Sequence, residues 1–389
     1  MIEKRRFKSE DGTDFPEWKK VRIGDVFTVT RGKVLATSLT KQESDESYIY
    51  PVYSSQTKMN GLMGFYDEFL FSDAITWTTD GANAGEVKFR KGKFYCTNVC
   101  GVLLSDKYAN TAVSIAINRV THKYVSYVGN PKLMNGVMSE ITLLLPSSTS
   151  EMKRISVLFE KIEDKINLLT KKKEALETYK KGLMQKIFSQ ELRFKREDGT
   201  DYPEWKEVLY SEFLKERDSK HPQSDEFPLC SFVAYKGVVP KGERYNREFL
   251  VSDKKGKKYK RTVKGDFIYS SNNLETGSIG LNTYGDGCIS PVYSIFSIDK
   301  SCDINFITNY LVTKANLHKM IRFRQGVMYG QWRIHETDFL KIKVALPSNE
   351  EQKHIGEALQ SLNSGIKELE RLISATSKFK KGLLQQMFV

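Results

Sequence analysis

The sequence predicts an α+β protein built as an internal repeat, with two strand-rich domains that are each followed by one long amphipathic helix. Three observations predict this. FKSEDGTDFPEW (Phe7–Trp18) returns as FKREDGTDYPEW (Phe194–Trp205), 187 residues later. TYKKGLMQKIF (Thr178–Phe188) is echoed by SKFKKGLLQQMF (Ser377–Phe388), with the KKG triplets 200 residues apart. Two apolar seams then step by 4 and 3 at equivalent positions. The first runs through Ile155, Phe159, Ile162, Ile166, Leu169, Leu176, Leu183 and Ile187. The second runs through Ile355, Leu359, Leu362, Ile366, Leu369, Ile373, Leu383 and Met387. A repeat this long is a whole structural unit used twice, not a solenoid of small repeats.

The division that follows is a strand-rich domain over 1–147, a helix over 148–190, a second strand-rich domain over 191–347 and a second helix over 348–389. In the first domain, YIYPVYSS (Tyr48–Ser55), AITWTT (Ala74–Thr79), GEVKFR (Gly85–Arg90) and EITLLLP (Glu140–Pro146) read as strands by β-branched and aromatic content. VRIGDVFTVTRG after Trp18 reads as one strand-like run ended by Gly32. The stretch 111–129 reads as one helix. In the second domain, GDFIYSS (Gly265–Ser271), GSIGLNTY (Gly277–Tyr284), PVYSIFSI (Pro291–Ile298) and LKIKVALP (Leu340–Pro347) read as strands. Pro146 stops the last strand of the first domain, and Ser148, Thr149 or Ser150 caps the helix after it.

Each helix carries an apolar stripe that is marginal if left in water. Two stripes in one register cover each other most simply as an antiparallel coiled coil. The chain leaves along one helix, passes through the second domain and returns along the other. At 1.5 Å per residue, Glu151 to Ser189 makes a rod of roughly 55–60 Å. The expectation is a pseudo-two-fold molecule whose unlike domains grip two different things at a set separation. Lys173, Lys180 and Lys380 interrupt the seams, where they restrict register and partner or snorkel to water.

Composition narrows the partners. The chain has 389 residues, 40% of them apolar and 12% aromatic, with a formal net charge of +13. That excess permits a polyanionic partner without requiring one. The five cysteines form no CxxC and lack nearby histidines at zinc-ligand spacing, so they read as buried free thiols of a reducing compartment. The N-terminus MIEKRRFKSEDG has no apolar core, and no 18-residue apolar run occurs. A cytoplasmic protein with no membrane span is expected. Catalytic patterns are missing as well, with no GxxxxGK[ST], no GxSxG, no HExxH and only scattered histidines. The expectation is a chain that is not an enzyme on its own and holds no metal.

What remains suits duplex DNA. KKGKKYKR contributes Lys254, Lys255, Lys257, Lys258, Lys260 and Arg261 as a phosphate-contacting loop rather than only a solvated face. RFRQGVMYGQWR contributes Arg322, Arg324, Gln325, Tyr329, Gln331 and Arg333, with Arg and Gln matching guanine and adenine edges; Trp332 beside them reads as core. SSNNLETG supplies Ser270, Ser271, Asn272 and Asn273. It corresponds to TTDGANAG, which supplies Thr78, Thr79 and Asn83. DGANAG reads as a hairpin turn or as a loop whose Asn83 approaches a phosphate or a base edge. Lys132 and Asn135 in KLMNGVMSE complete the candidates. The GVM shared by Gly136–Met138 and Gly326–Met328 suggests one turn used in both domains. A non-catalytic protein-binding scaffold is the alternative reading, and a DNA-modifying enzyme the more distant one.

ELRFKREDGTDYPEW (Glu191–Trp205), the KKGLMQKIF and KKGLLQQMF endings, and the strand-proline-helix passages ITLLLPSSTSEMKRI and IKVALPSNEEQKHI together resemble the specificity subunit of type I restriction–modification systems. EEQKHI has the familiar form; EMKRI departs from it, with Met152 where the other copy has Gln352. The resemblance implies two target recognition domains, each reading half of an asymmetric bipartite DNA target. It implies helices that set the spacer and dock two modification subunits, with two restriction subunits completing a complex that defends against foreign DNA. S-adenosylmethionine for adenine-N6 methylation, ATP and Mg2+ belong by that resemblance to the partner subunits, and none of them to this chain. The family carries no invariant base-reading residue across, so the candidates above rest on side-chain chemistry.

Overall fold

The computed structural model describes residues 5–55, 58–234, 236–241, 258–326 and 332–388. The chain divides into two compact units, residues 1–172 with 370–389, and residues 173–369.

In the first unit β1 (Lys19–Arg22) leads through a one-turn helix α1 (Ile23–Val26) into β2 (Thr28–Arg31). The apolar run after Trp18 is therefore not the one strand expected of it. The turn buries Ile23 and Phe27 while leaving Asp25 exposed, although a continuous strand would place all three on one face. Then follow β3 (Tyr50–Tyr53), β4 (Leu62–Tyr66), β5 (Phe71–Thr78), β6 (Val87–Cys96) and β7 (Cys100–Leu104). With β2 they form a six-stranded sheet in the order β2-β7-β5-β6-β3-β4. Only β3 and β6 pair in parallel. The helix α2 (Thr111–Thr121), capped by Asn110 on the Val113 N–H, covers the sheet. A short α3 (Asn135–Glu140) precedes β8 (Thr142–Leu145), which pairs with β1. The long α4 (Thr149–Phe188) follows, and the Ser148 hydroxyl accepts the Glu151 N–H at its start.

The second unit repeats the frame around different contents. Its strands are β9 (Lys206–Leu209), β10 (Leu214–Glu216), β11 (Lys220–His221), β12 (Cys230–Val233), β13 (Gly237–Pro240), β14 (Tyr259–Thr262), β15 (Phe267–Tyr269), β16 (Ile279–Leu281), β17 (Gly287–Ile289) and β18 (Ser294–Ile298). They make a four-stranded sheet β10-β18-β15-β16, a three-stranded sheet β11-β14-β17 and the hairpin β12-β13. Helices α5 (Ile304–Leu311) and α6 (Lys314–Ile321) come next, then the small hairpin β19 (Gln325–Gly326) and β20 (Trp332–Arg333). A one-turn α7 (Glu336–Phe339) leads to β21 (Lys343–Leu346), which pairs with β9, and α8 (Asn349–Met387) closes the chain.

The repeated peptide is a tight turn clasped to a helix. Asp11 accepts both the backbone N–H and the hydroxyl of Thr13, and Asp198 does the same for Thr200. Gly12 and Gly199 each adopt a φ of +83°, the left-handed conformation that favours glycine. The Arg6 guanidinium then forks onto Glu151 at 3.0 and 2.9 Å and donates to the Pro16 carbonyl. Arg193 repeats this with Glu351 at 3.2 and 2.9 Å and with the Pro203 carbonyl. Both glutamates are fully buried in the first turn of their long helices.

Gln352 and Met152, where the two passages depart, sit beside the caps of the covering helices. Gln352 accepts the Asp303 N–H and donates to the Pro347 carbonyl, beneath Asp303 as the N-cap of α5. Met152 instead lies buried with its sulfur 3.5 Å from the Asn110 amide, the cap of α2.

The expected seam is present within each unit. In the first, Ile155, Phe159 and Ile162 of α4 share a core with Leu383, Met387 and Phe388, and the Phe159 and Phe388 rings lie 6.1 Å apart. In the second, Ile187 of α4 shares a core with Ile355 and Leu359 of α8. Early α4 against late α8, and late α4 against early α8, is antiparallel pairing. Every seam residue named from the heptads is buried or half-buried. The lysines at seam positions find neighbours, with Lys380 pairing with Glu163 and Lys173 lying 3.4 Å from Glu177. Burial lowers the pKa of Lys180. Four of the five cysteines are buried as free thiols, and Cys302 is half-buried. No helix among the described residues is long and apolar enough to cross a membrane.

Phe159→Ala is expected to cost about 3–5 kcal/mol by cavity formation, whereas Leu168→Ala, at a side chain 68% exposed on the same helix, should stay within about 0.5 kcal/mol. Denaturant unfolding of both variants measures the contrast. Arg193→Ala strands the buried Glu351 carboxylate and is expected to cost about 3–5 kcal/mol in the same assay.

Candidate nucleic-acid interface

In each unit two polar loops are locked to each other by hydrogen bonds. The first loop is a β-hairpin connection. Thr78 donates its N–H to Glu86 O at 3.0 Å, and Ser270 donates to Ser278 O at 2.8 Å. Gly85 and Gly277 end the two loops at φ +86° and +87°. The correspondence of TTDGANAG with SSNNLETG therefore holds in backbone hydrogen bonding.

The second loop enters the frame's last short helix. Leu133 donates its N–H to Thr79 O, and Ile334, 201 residues later, donates to the Ser271 hydroxyl at 3.1 Å. Leu133 and Ile334 are both buried, as are Met138 and Phe339 in α3 and α7. The shared GVM is not one turn used twice. Gly136–Met138 lie inside the helix α3, while Gly326 ends the strand β19 and Val327 and Met328 lie outside the described residues. Short identities misalign because the second copy carries an extra hairpin ahead of the helix.

Within the first unit's site, Thr78 and Thr79 are buried, and the Thr79 hydroxyl donates to Val99 O. They build the loop instead of facing solvent. Asn83 is half-buried in the turn and accepts the Glu86 N–H through its carbonyl. Gly81 donates to Pro131 O, and Asn130 donates to the Asp80 carboxylate, tying the two loops together. Lys132 is exposed on that seam. Asn135 donates its amide to Thr30 O at 3.2 Å and leaves its buried Oδ1 unpartnered. The sequence reading missed Tyr127 and Val128, which are 70% and 92% exposed on the second loop. They lie in a stretch read as helical, but α2 stops at Thr121 and the chain turns through Gly129.

Within the second unit's site, Ser270 and Ser271 are buried and frame-building, whereas Asn272 and Asn273 are exposed. Asn272 Oδ1 accepts the Trp332 N–H. Trp332 is half-exposed on β20, not core, whereas Ile334 two residues on is buried. Arg324 is not a free fork. Its side chain is 8% exposed and donates twice to Glu275, both at 2.8 Å. Gln325 is exposed, with its amide 3.4 Å from Asp338, and Arg322 is exposed at the end of α6.

Lys258 is exposed, but Lys260 is buried, 3.4 Å from Asp218 and 3.9 Å from Glu336. Arg261 lies over the Phe227 ring at 3.6 Å. These two are held by the domain's own groups from opposite faces of β14, Lys260 buried and Arg261 half-buried. Arg333 is exposed, with one nitrogen 3.9 Å from Glu336. Lys254, Lys255, Lys257, Tyr329 and Gln331 lie outside the described residues.

Asn272, Trp332 and Arg333 line the mouth of a cleft of about 480 Å³, with Lys260 and Ser271 in its wall. The carboxylates Glu216, Asp218 and Glu336 also line it and were not anticipated. Burial opposes ionisation of Asp218, but Lys260 and Lys220 outweigh it and hold its pKa below the ordinary range. Burial, and then the Glu336 charge, raises the pKa of Glu216. No group of metal-ligating side chains occurs among the described residues.

Two loop pairs of unlike chemistry on one repeated frame define a two-headed binding protein. The family described as type I restriction modification DNA specificity domain matches residues 16–178 and again 213–376. The chain belongs to this family. The type I restriction enzyme MjaVIII specificity subunit of Methanocaldococcus jannaschii is 25% identical over 417 residues, spanning 99% of this chain and 96% of its own length. A Mycoplasma pneumoniae protein named for the N-terminus of a type I specificity subunit is 38% identical over 144 residues, 36% of this chain and 75% of its own length. The S subunit of the M. genitalium type I system shares the fold, with a TM-score of 0.67 at 15% identity over 100% of this chain and 99% of that one.

Arg333→Ala is expected to weaken binding of the selected duplex by about 1–3 kcal/mol and random duplexes less, as a base contact requires. Lys254→Ala, Lys257→Ala and Lys258→Ala should weaken all duplexes alike. Titrations at several salt concentrations measure both. Equal losses from Arg333→Ala on every duplex would assign it to a phosphate.

Proposed function

We propose that this chain is the address-reading subunit of a type I restriction–modification complex. It recognises an asymmetric bipartite site in double-stranded DNA, one half through each domain, and carries no chemistry of its own. The observation that carries this reading is the family's DNA-specificity signature occurring twice on loop pairs with different side chains. Identical heads would suit a palindrome; Asn83, Tyr127 and Lys132 in one head and Asn272, Trp332 and Arg333 in the other suit two unlike half-sites. The long helices serve as the spacer and as the docking surface for two modification subunits, with two restriction subunits completing the assembly in the bacterial cytoplasm. S-adenosylmethionine, ATP and Mg2+ act in those partners.

Mapping methylated adenines in the host genome is expected to reveal two unequal half-sites separated by a constant gap. A palindromic motif, or none dependent on this chain, would refute the reading. Deleting one heptad from α4 should change the gap or abolish binding while leaving both half-sites unaltered. The purified chain is expected neither to methylate nor to cut DNA.

A further inference from the structure

The cleft of the second unit holds more acid than a phosphate-binding surface needs. Carboxylates facing a polyanion oppose binding, yet Glu216, Asp218 and Glu336 share the cavity with Lys260 and Arg333. Two of these acids have internal partners. Asp218 neutralises Lys260, and Glu336 accepts the Ser294 hydroxyl at 2.9 Å while lying 3.9 Å from both Lys260 and Arg333.

Glu216 differs. It stands exposed at the end of β10, and among the described residues its carboxylate accepts no hydrogen bond. Its ionised form is under-compensated, since burial and the neighbouring Glu336 raise its pKa. Tyr269 is fully buried and pairs across the sheet with Ser294, which lines the cleft. Among the described residues, Glu216 is thus a cleft-lining acceptor without a hydrogen bond, while Lys260 in the same lining is neutralised from within. The half-exposed Trp332 lies at the cleft mouth and offers a flat apolar surface.

That chemistry suits a base edge better than a phosphate. A carboxylate only accepts, so it takes a hydrogen from the exocyclic amine of cytosine or adenine. The major-groove edges of guanine and thymine offer it only acceptors or a methyl group. Resting on the reading of the chain as a DNA specificity subunit, we propose that Glu216 determines specificity in the second half-site by accepting a hydrogen bond from the exocyclic amine of a cytosine or adenine.

The test uses the full chain assembled with its host's modification subunits. Wild type, Glu216→Ala and Glu216→Gln each select from a duplex library randomised across both half-sites. Glu216 is exposed, so both variants should fold, and retention of the first half-site by each variant checks this. Glu216→Ala is expected to lose about tenfold or more of the preference at one base pair of the second half-site, where wild type selects cytosine or adenine. Glu216→Gln should select adenine there, through the amide's paired donor and acceptor. A duplex in which hydrogen replaces that exocyclic amine should bind wild type about tenfold more weakly and Glu216→Ala without change.

An Ala variant that selects the same second half-site as wild type overturns the proposal, as does an amine whose removal leaves wild-type binding intact. A wild-type complex that enriches no motif at all overturns instead the underlying reading of the chain as a DNA specificity subunit.

Discussion

The apolar seam between the two long helices is the constraint on which both units depend. In the first unit the sheet residues Ile75, Trp77 and Leu103 belong to the same core as Ile155 and Phe159 of α4 and Met387 of α8. In the second, Phe267, Phe296 and Phe339 share a core with Ile187, Ile355 and Leu359. The six-stranded sheet of the first unit and the four-stranded sheet of the second each use the long helices as one wall of their interior, so the helices are part of the domains. The first unit is also discontinuous, since its core takes Leu383, Met387 and Phe388 from the far end of the chain. Its burial cannot be completed until the last residues are in place, and such contacts pay a long loop closure before they return any stability.

Onto that seam the repeated turn adds orientation. Hydrophobic packing is non-directional, whereas a forked guanidinium on a carboxylate fixes geometry. Arg6 on Glu151 and Arg193 on Glu351 tie the entry of each domain to the first turn of its long helix. The strand after each repeated peptide then pairs with the strand before each helix, β1 with β8 and β9 with β21. Residues that repeat build this frame. Residues that differ occupy the loops it holds out, where substitution costs little stability and changes what is bound.

Net charge overstates how much of this protein faces a polyanion. Lys260 is neutralised by acids, Arg324 is committed to Glu275, Arg261 lies on Phe227, and Arg90 is buried over the Tyr53 ring at 3.8 Å. Among the described candidates, the cations left exposed, such as Lys132, Lys258, Arg322 and Arg333, are a smaller set. Specificity then falls to amides, aromatic surfaces and carboxylates, whose hydrogen-bonding patterns distinguish bases in a way that positive charge does not.

The sequence by itself determined the repeat, the α+β class, the heptad registers and their antiparallel pairing, because these follow from periodicity and from the need of two stripes to cover each other. It also determined that the loops TTDGANAG and SSNNLETG are counterparts. The tertiary structure alone decided which polar residues are free. Thr79 and Ser271 look like readers in the sequence, yet hold the loops together, and Lys260 and Arg324 look like phosphate or base contacts, yet serve internal carboxylates. Trp332 looks like core, yet lies half-exposed at a cleft mouth. Glu216 and Glu336, 120 residues apart in the chain, meet only because β10 and α7 flank the same cavity. Local composition reveals which groups can bond; what they bond to is settled by partners brought close through strand pairing and packing, and a linear sequence does not display those distances.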